Sequence, residues 1–218
     1  MTCARTFVRL NTQVPPETIL VFFDYLCPYA WRGAELVERV AGPLGLRFDF
    51  VHFSLYQANT KDEGWQLWNE RHDPQDPAGS WGLLPFLASI AARQQGREAH
   101  DRFRLELLRR RHRDHAPFTP ATVMEAAEAA GLHLASLERE LANPEARTTL
   151  AREHHQAVHE GVFGTPTFKW PDGPTAYVRL KELPQGEQEA ADLFTRLQGM
   201  LHDHPYLETV RQPRQEGN

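Results

Sequence analysis

Hydrophobic positions fall into three regimes along the chain. Thr18-Ile19-Leu20-Val21-Phe22-Phe23 is an unbroken apolar run of strand length, rich in β-branched and aromatic side chains, and predicts a buried strand. After a short loop, Asp24-Tyr25-Leu26, apolar residues recur at helical spacing (Ala30, Ala34, Leu36, Val37, Val40). Pro28 suits the first turn of that helix, where its missing N–H is no loss, and Gly42-Pro43 with Gly45 are stop signals. Leu46 to Phe53 alternates strictly and predicts a second strand. Strand, helix and strand with a short return form a βαβ unit, whose strands should be parallel. Between 60 and 160 the strand signal nearly vanishes. Thr119-Pro120 and Asn143-Pro144 read as helix starts, Gly131 and Gly161 as stops, and 65–72, 80–95, 97–113 and 136–142 as further helices. After Gly161 strands return over 164–170 and 175–180, joined by the turn Pro171-Asp172-Gly173-Pro174, and a last helix spans about 188–201. Two strands alone are marginal, so the strands before and after the helical block should join in one sheet, with the block as a lid. The expected architecture is α/β, with 18–59 and 161–203 forming one discontinuous unit and 60–160 an inserted all-helical subdomain. Residues 1–17 read as a short leader and 205–218 as a loose polar tail.

Composition narrows the classes. The chain has 218 residues, 41% hydrophobic and 24% charged, enough to bury a core without staples and too apolar for disorder. A net charge of −5 demands no nucleic-acid or anionic-membrane partner. No apolar run approaches the roughly 18 residues of a membrane span, and the first residues lack the apolar stretch of a signal peptide, so a cytoplasmic protein is expected. Two cysteines, Cys3 and Cys27, exclude a disulfide scaffold.

Chemistry enters at Cys27, which stands where the first strand hands over to the first helix. A helix start presents unpaired N–H groups and the positive end of the dipole. Thiols at such places titrate at roughly 3.5–7.5 instead of near 8.5, so Cys27 is expected to be a nucleophile near neutral pH, set against the plainer reading of a buried inert thiol. The second piece is Gly161-Val162-Phe163-Gly164-Thr165-Pro166-Thr167-Phe168, where a Pro opens a strand after Gly and Thr and is a candidate for a cis bond.

Together, Val21-Phe22-Phe23-Asp24-Tyr25-Leu26-Cys27-Pro28-Tyr29-Ala30 and the Gly161–Phe168 segment resemble the two signatures of the DsbA-like branch of the thioredoxin superfamily. Within it the chain is most similar to FrnE-type proteins and mycothiol-dependent nitroreductases, through Ser54-Leu55 with Asn59, His154-His155, Leu183-Pro184-Gln185-Gly186-Glu187 and His204-Pro205-Tyr206. The resemblance implies a thioredoxin-like fold with a helical insert, a redox-active Cys27, and a cis-proline loop at Thr165-Pro166 whose backbone pairs with a bound thiol substrate. The family's usual motif is C-x-x-C, and Ala30 occupies its fourth position here. Ala30 cannot resolve a mixed disulfide, so an outside thiol must. This favours a monothiol thiol–disulfide oxidoreductase or thiol-dependent reductase. Its cosubstrate would be a low-molecular-weight thiol of the glutathione, mycothiol or bacillithiol type, and its substrate a disulfide or an electrophile. No metal or tightly held cofactor is expected, and the assembly is a monomer or homodimer. Cys3 is the sole internal candidate for a resolving thiol. Pro28-Tyr29-Ala30 also resembles the Ser-x-Pro-Tyr-like motifs of 2-hydroxychromene-2-carboxylate isomerases and kappa-class glutathione transferases. Under that alternative Cys27 would stabilise a bound thiolate without bonding to it.

Three further clusters stand out in the sequence. His154, His155 and His159 sit near a helix end, where hydrogen bonding is favoured over metal binding. Residues 93–115 hold eight Arg and three His against four acidic residues, densest at Arg109-Arg110-Arg111-His112-Arg113. A solvated helix with pairs such as Glu106–Arg110 is favoured there over a patch that attracts an anionic thiol or acidic partner. Trp65 and Trp68, with Phe53 and Tyr56, would line an apolar groove beside Cys27 or pack in the core, at equal weight. Trp31 and Arg32 would flank the same site.

Overall fold

The computed structural model describes residues 18–71, 82–171 and 173–209. Four strands, β1 (Thr18–Phe23), β2 (Arg47–His52), β3 (Thr167–Lys169) and β4 (Thr175–Tyr177), form one sheet in the order β2-β1-β3-β4. β1 and β2 run parallel, joined by α1 (Pro28–Leu44). β3 pairs antiparallel with β1, with Val21 opposite Phe168, and β4 pairs antiparallel with β3. Between β2 and β3 lie α2 (Leu55–Asn59), α3 (Leu83–Ala92), α4 (Arg97–His112), α5 (Pro120–Ala129), α6 (Leu134–Leu141) and α7 (Glu145–His159), and α8 (Glu187–Asp203) follows the sheet.

β1 is apolar throughout because both its faces are covered. Ile19, Val21 and Phe23 enter the main core, while Phe22 points the other way and packs with Phe53, Ala157 of α7 and Val162. The main core is continuous from the sheet into the helical block, taking in Phe86, Phe103, Leu107, Val123 and Leu137. β2 lies at the sheet edge, where unpaired backbone groups need partners. The arginine-rich stretch supplies them. Arg93 donates to Phe50 O at 2.8 Å and Arg97 to Phe48 O, while Glu153 of α7 accepts from His52 N–H at 3.0 Å. The Glu106–Arg110 pair is present at 3.1 Å.

Several expectations shift. α1 runs through Gly42-Pro43 and stops at Gly45, whose φ of +62° makes the left-handed cap; a proline in the last turn removes only one ladder bond. The helix expected over 65–72 is a single 3-10 turn, Leu67–Asn69, because Gln57 satisfies this stretch from its side chain, its Oε1 accepting from Leu67 N–H at 2.7 Å and its Nε2 donating to Trp65 O at 3.2 Å. The strand expected over 175–180 stops at Tyr177. Cys3 and the 1–17 leader lie outside the described residues.

Candidate active site

Cys27 is the N-cap of α1, in extended conformation (φ −88°, ψ 115°), with Pro28 at the first helical position. Only 6% of Cys27 is exposed. Its thiol donates to the carbonyl oxygen of Thr165 at 3.3 Å, across 138 residues of sequence, and the Thr165–Pro166 peptide is cis. The Ala30 N–H is already spent on Cys27 O at 3.1 Å, and Pro28 has none, so the Tyr29 N–H is the donor of the first turn without an acceptor among the described residues. The Thr165 hydroxyl is buried with no partner. An unpaired hydroxyl of this kind costs about 1–3 kcal/mol.

Pro166 is held against α1 because residue 33 is glycine. A Cβ there would stand 2.7 Å from Pro166 Cγ and 3.0 Å from Pro166 Cβ. Gly33 therefore sets how closely the strand opening at Thr165-Pro166 approaches the helix that carries Cys27. The loop before Cys27 is fixed from within by Asp24. Its carboxylate accepts from Leu26 N–H at 2.8 Å and from Leu55 N–H at 2.7 Å, while its backbone carbonyl accepts from Cys27 N–H at 3.1 Å. Burial pushes the Asp24 carboxyl up to about 6, with the two N–H donors pulling the other way. Neither Asp24 nor Gly33 was singled out from sequence. An isolated glycine inside a helical pattern is the signal that could have found Gly33. Asp24 carried none, since an acidic residue after a strand reads as an ordinary turn.

The same carboxylate anchors the start of α2. Ser54 caps that helix, accepting from Gln57 N–H at 3.1 Å, and Ser54 N–H donates to His154 Nδ1 at 3.2 Å. Burial, then His155, pushes His154 down to about 4, so it accepts as a neutral ring stacked on Phe53. Beside α2 opens a cavity of about 590 Å³ lined by Leu55, Tyr56, Asn59, Thr60, Asp62 and Trp65. The structure separates the two tryptophans. Trp65 and Tyr56 line this cavity, whereas Trp68 and Phe53 are buried, Trp68 against His154 and His155. Trp31 turns to α4, donating to Glu35 at 3.1 Å and stacking on His112. Arg32 and Arg179 stand over the Tyr29 ring, at 5.5 and 3.6 Å.

A cysteine-bearing helix start thus faces a strand that opens on a cis-proline, and a helical block separates the second and third strands. The profile of the DSBA-like thioredoxin domain matches residues 86–189, a span that includes Thr165 and Pro166 and begins downstream of Cys27. Residues 86–189 are similar to that domain, and the fold is thioredoxin-like. An uncharacterised protein of Mycobacterium tuberculosis is 23% identical over 201 residues, 90% of this chain and 82% of that one. Among solved structures, a 2-hydroxychromene-2-carboxylate isomerase superposes with a TM-score of 0.59 at 16% identity, over 88% of this chain and 100% of that one. The cytosolic disulfide reductase DsbM from Pseudomonas aeruginosa, solved with GSH, superposes at 0.56 with 17% identity, over 83% of this chain and 98% of that one. At these identities the superpositions establish the DsbA-like thioredoxin fold alone. No described helix is long and apolar enough to cross a membrane.

Proposed function

We propose that this DsbA-like protein is a monothiol thiol–disulfide oxidoreductase, or a low-molecular-weight-thiol-dependent reductase, of the FrnE and mycothiol-dependent nitroreductase branch, working in the cytoplasm. The observation that carries the reading is the Cys27 sulfur at the start of α1, 3.3 Å from Thr165 O, with Ala30 where a second thiol would stand. The Cys27 thiolate attacks one sulfur of a substrate disulfide, forming a mixed disulfide and expelling the other half as a thiolate. An external thiol then attacks the substrate's sulfur in the mixed disulfide, restores the Cys27 thiolate and leaves with the substrate half as a new disulfide. A second molecule of the external thiol attacks that new disulfide and releases the substrate half as a thiol, so the substrate disulfide gains two electrons and two molecules of the external thiol lose them as they join in a disulfide. The Tyr29 N–H is the helix-start donor this reading assigns to charge developing on the sulfur, and Thr165-Pro166 is the backbone it assigns to the bound partner. Trp65 and Tyr56 supply the apolar wall for an aromatic substrate.

The test uses neutral 2,2′-dithiodipyridine in a Cys3→Ser background. One thiopyridone should be released per chain, with turnover when a small thiol is added, and Cys27→Ser should abolish both. The mostly apolar cavity beside α2 favours a second reading, a thiol-dependent isomerase or transferase with Cys27 as a non-bonding stabiliser. Under that reading Cys27→Ser retains most activity toward an isomerase substrate.

A further inference from the structure

A second cavity, about 340 Å³, is lined by Leu26, Pro28, Arg111, His112 and His115. Leu26 and Pro28 flank Cys27 in the chain, so this cavity adjoins the nucleophile's own backbone from the side of α4. Its charge balance sets it apart. Most of the arginines between 93 and 113 are paired with carboxylates. Arg93 holds Glu153, Arg97 holds Asp49, Arg104 holds Asp101, Arg109 grips Glu35 through two bonds of 2.6 and 2.8 Å, Arg110 holds Glu106 and Glu125, and Arg113 holds Asp114. Arg102 donates to a backbone carbonyl, Ala130 O. Among the described residues Arg111 alone of the eight has neither a carboxylate nor a carbonyl partner; it lies over the Phe118 ring, 5.4 Å from its centroid.

The frame around Arg111 is rigid. The Arg109–Glu35–Trp31 chain clamps α4 to α1, and His112 Nε2 lies 2.8 Å from Tyr25 O. A carbonyl only accepts, so Nε2 carries the proton. Burial holds His112 down at about 4, with Arg111, Arg32 and His115 as neighbouring cations acting the same way, so the ring is neutral. His115 has a φ of +58°, a left-handed conformation that a residue with a Cβ rarely adopts, and it brings a second imidazole to the cavity wall. Two of the helix-end carbonyls are occupied: Arg109 O accepts from Arg113 and Asp114 N–H, and Arg110 O from Ala116 N–H.

We propose that this cavity binds the carboxylate of the small thiol that resolves Cys27. The inference rests on the redox reading above and selects within it. Peptide thiols that carry a carboxylate a few ångströms from the sulfur, of the glutathione type, are preferred over uncharged sugar-linked thiols of the mycothiol type. Arg111 supplies the charge, and the His115 ring stands on the same wall.

The test loads Cys27 with thiopyridine and compares the rates at which 3-mercaptopropionate and neutral 2-mercaptoethanol release thiopyridone, in the Cys3→Ser protein at low salt. The ratio of the two rates should fall about tenfold in Arg111→Gln, the factor for one charge-assisted contact, and stay within about twofold in Arg113→Gln. An unchanged ratio in Arg111→Gln, or an equal fall in Arg113→Gln, overturns the site. A Cys27 that does not load at all would instead defeat the redox reading. For that case the site is read by titrating S-methylglutathione into the Cys27→Ser protein and following the His112 and His115 ring signals by NMR. Shifts that disappear in Arg111→Gln support the site, and their absence from the parent overturns it.

Discussion

Replacing Gly33 by Ala sets two effects against each other. A helical glycine to alanine change normally stabilises by up to about 1 kcal/mol. Here the new methyl would lie 2.7 Å from Pro166 Cγ and 3.0 Å from its Cβ, where ordinary carbon contacts begin at about 3.5 Å, so the proline ring, which has no flexible end to yield, must retreat by roughly 1 Å. Overpacking of this kind costs about 1–3 kcal/mol. The net expectation is a protein less stable by about 0–2 kcal/mol. The functional loss should be larger. Thr165 moves with Pro166, and a shift of roughly 1 Å opens the 3.3 Å contact with Cys27 and misplaces a bound partner, a displacement that can lower a rate by about 100-fold. Gly199→Ala in α8 is the control, since nothing lies within 4 Å of its added methyl; it should stabilise by about 0.4–1 kcal/mol and leave the rate unchanged. Urea unfolding and the thiopyridone release rate measure both quantities. A Gly33→Ala protein as stable as Gly199→Ala, with wild-type reactivity, would refute the packing argument.

Thr165→Val removes a buried hydroxyl that has no partner, so the melting temperature should hold or rise while reaction with disulfides slows; a lower melting temperature would mean the hydroxyl is satisfied in the resting fold. Glu35→Gln breaks the two-bond pair with Arg109 and should cost about 1.5–3 kcal/mol in urea unfolding, with no loss pointing to a dispensable clamp. Acid should destabilise the protein between pH 6.5 and 4. His112 and His154 are held down at about 4 while unfolded histidines take protons near 6.5, so the unfolded state binds more protons across that window. Asp24, pushed up to about 6, works in the opposite sense: its contribution is full below the unfolded carboxyl value and is lost as pH rises through 6. Melting temperature against pH should therefore fall on acidification, and fall more steeply in Asp24→Asn; a rise on acidification would contradict the histidine assignments.

Local signals were legible wherever a short stretch carries its own physics. Thr119-Pro120 announced α5, and the Thr119 hydroxyl does accept from Thr122 N–H at 3.1 Å. The glycine stops at 131 and 161 have φ of +75° and +77°. The reach of the apolar run in β1 and the alternation in β2 both survived folding, because burial on one face or two is written directly into side-chain order. Trp65 and Trp68 show the limit. Their spacing imitates a helical stripe, yet one wall of a cavity and one piece of core result, since the side chain of Gln57 ties this stretch into a single turn.

By itself the sequence determined the α/β class, the order of elements and the presence of a cysteine at a helix start, since these depend on neighbours within a few residues. Tertiary structure decided what stands opposite that cysteine. Thr165 O, the glycine that lets Pro166 close in, the buried Asp24 that ties two loops together and Arg111, without a carboxylate or carbonyl partner among the described residues, beside Leu26 and Pro28 all depend on residues far apart in the chain. Distances of a few ångströms between such segments are set by packing, which no local pattern encodes.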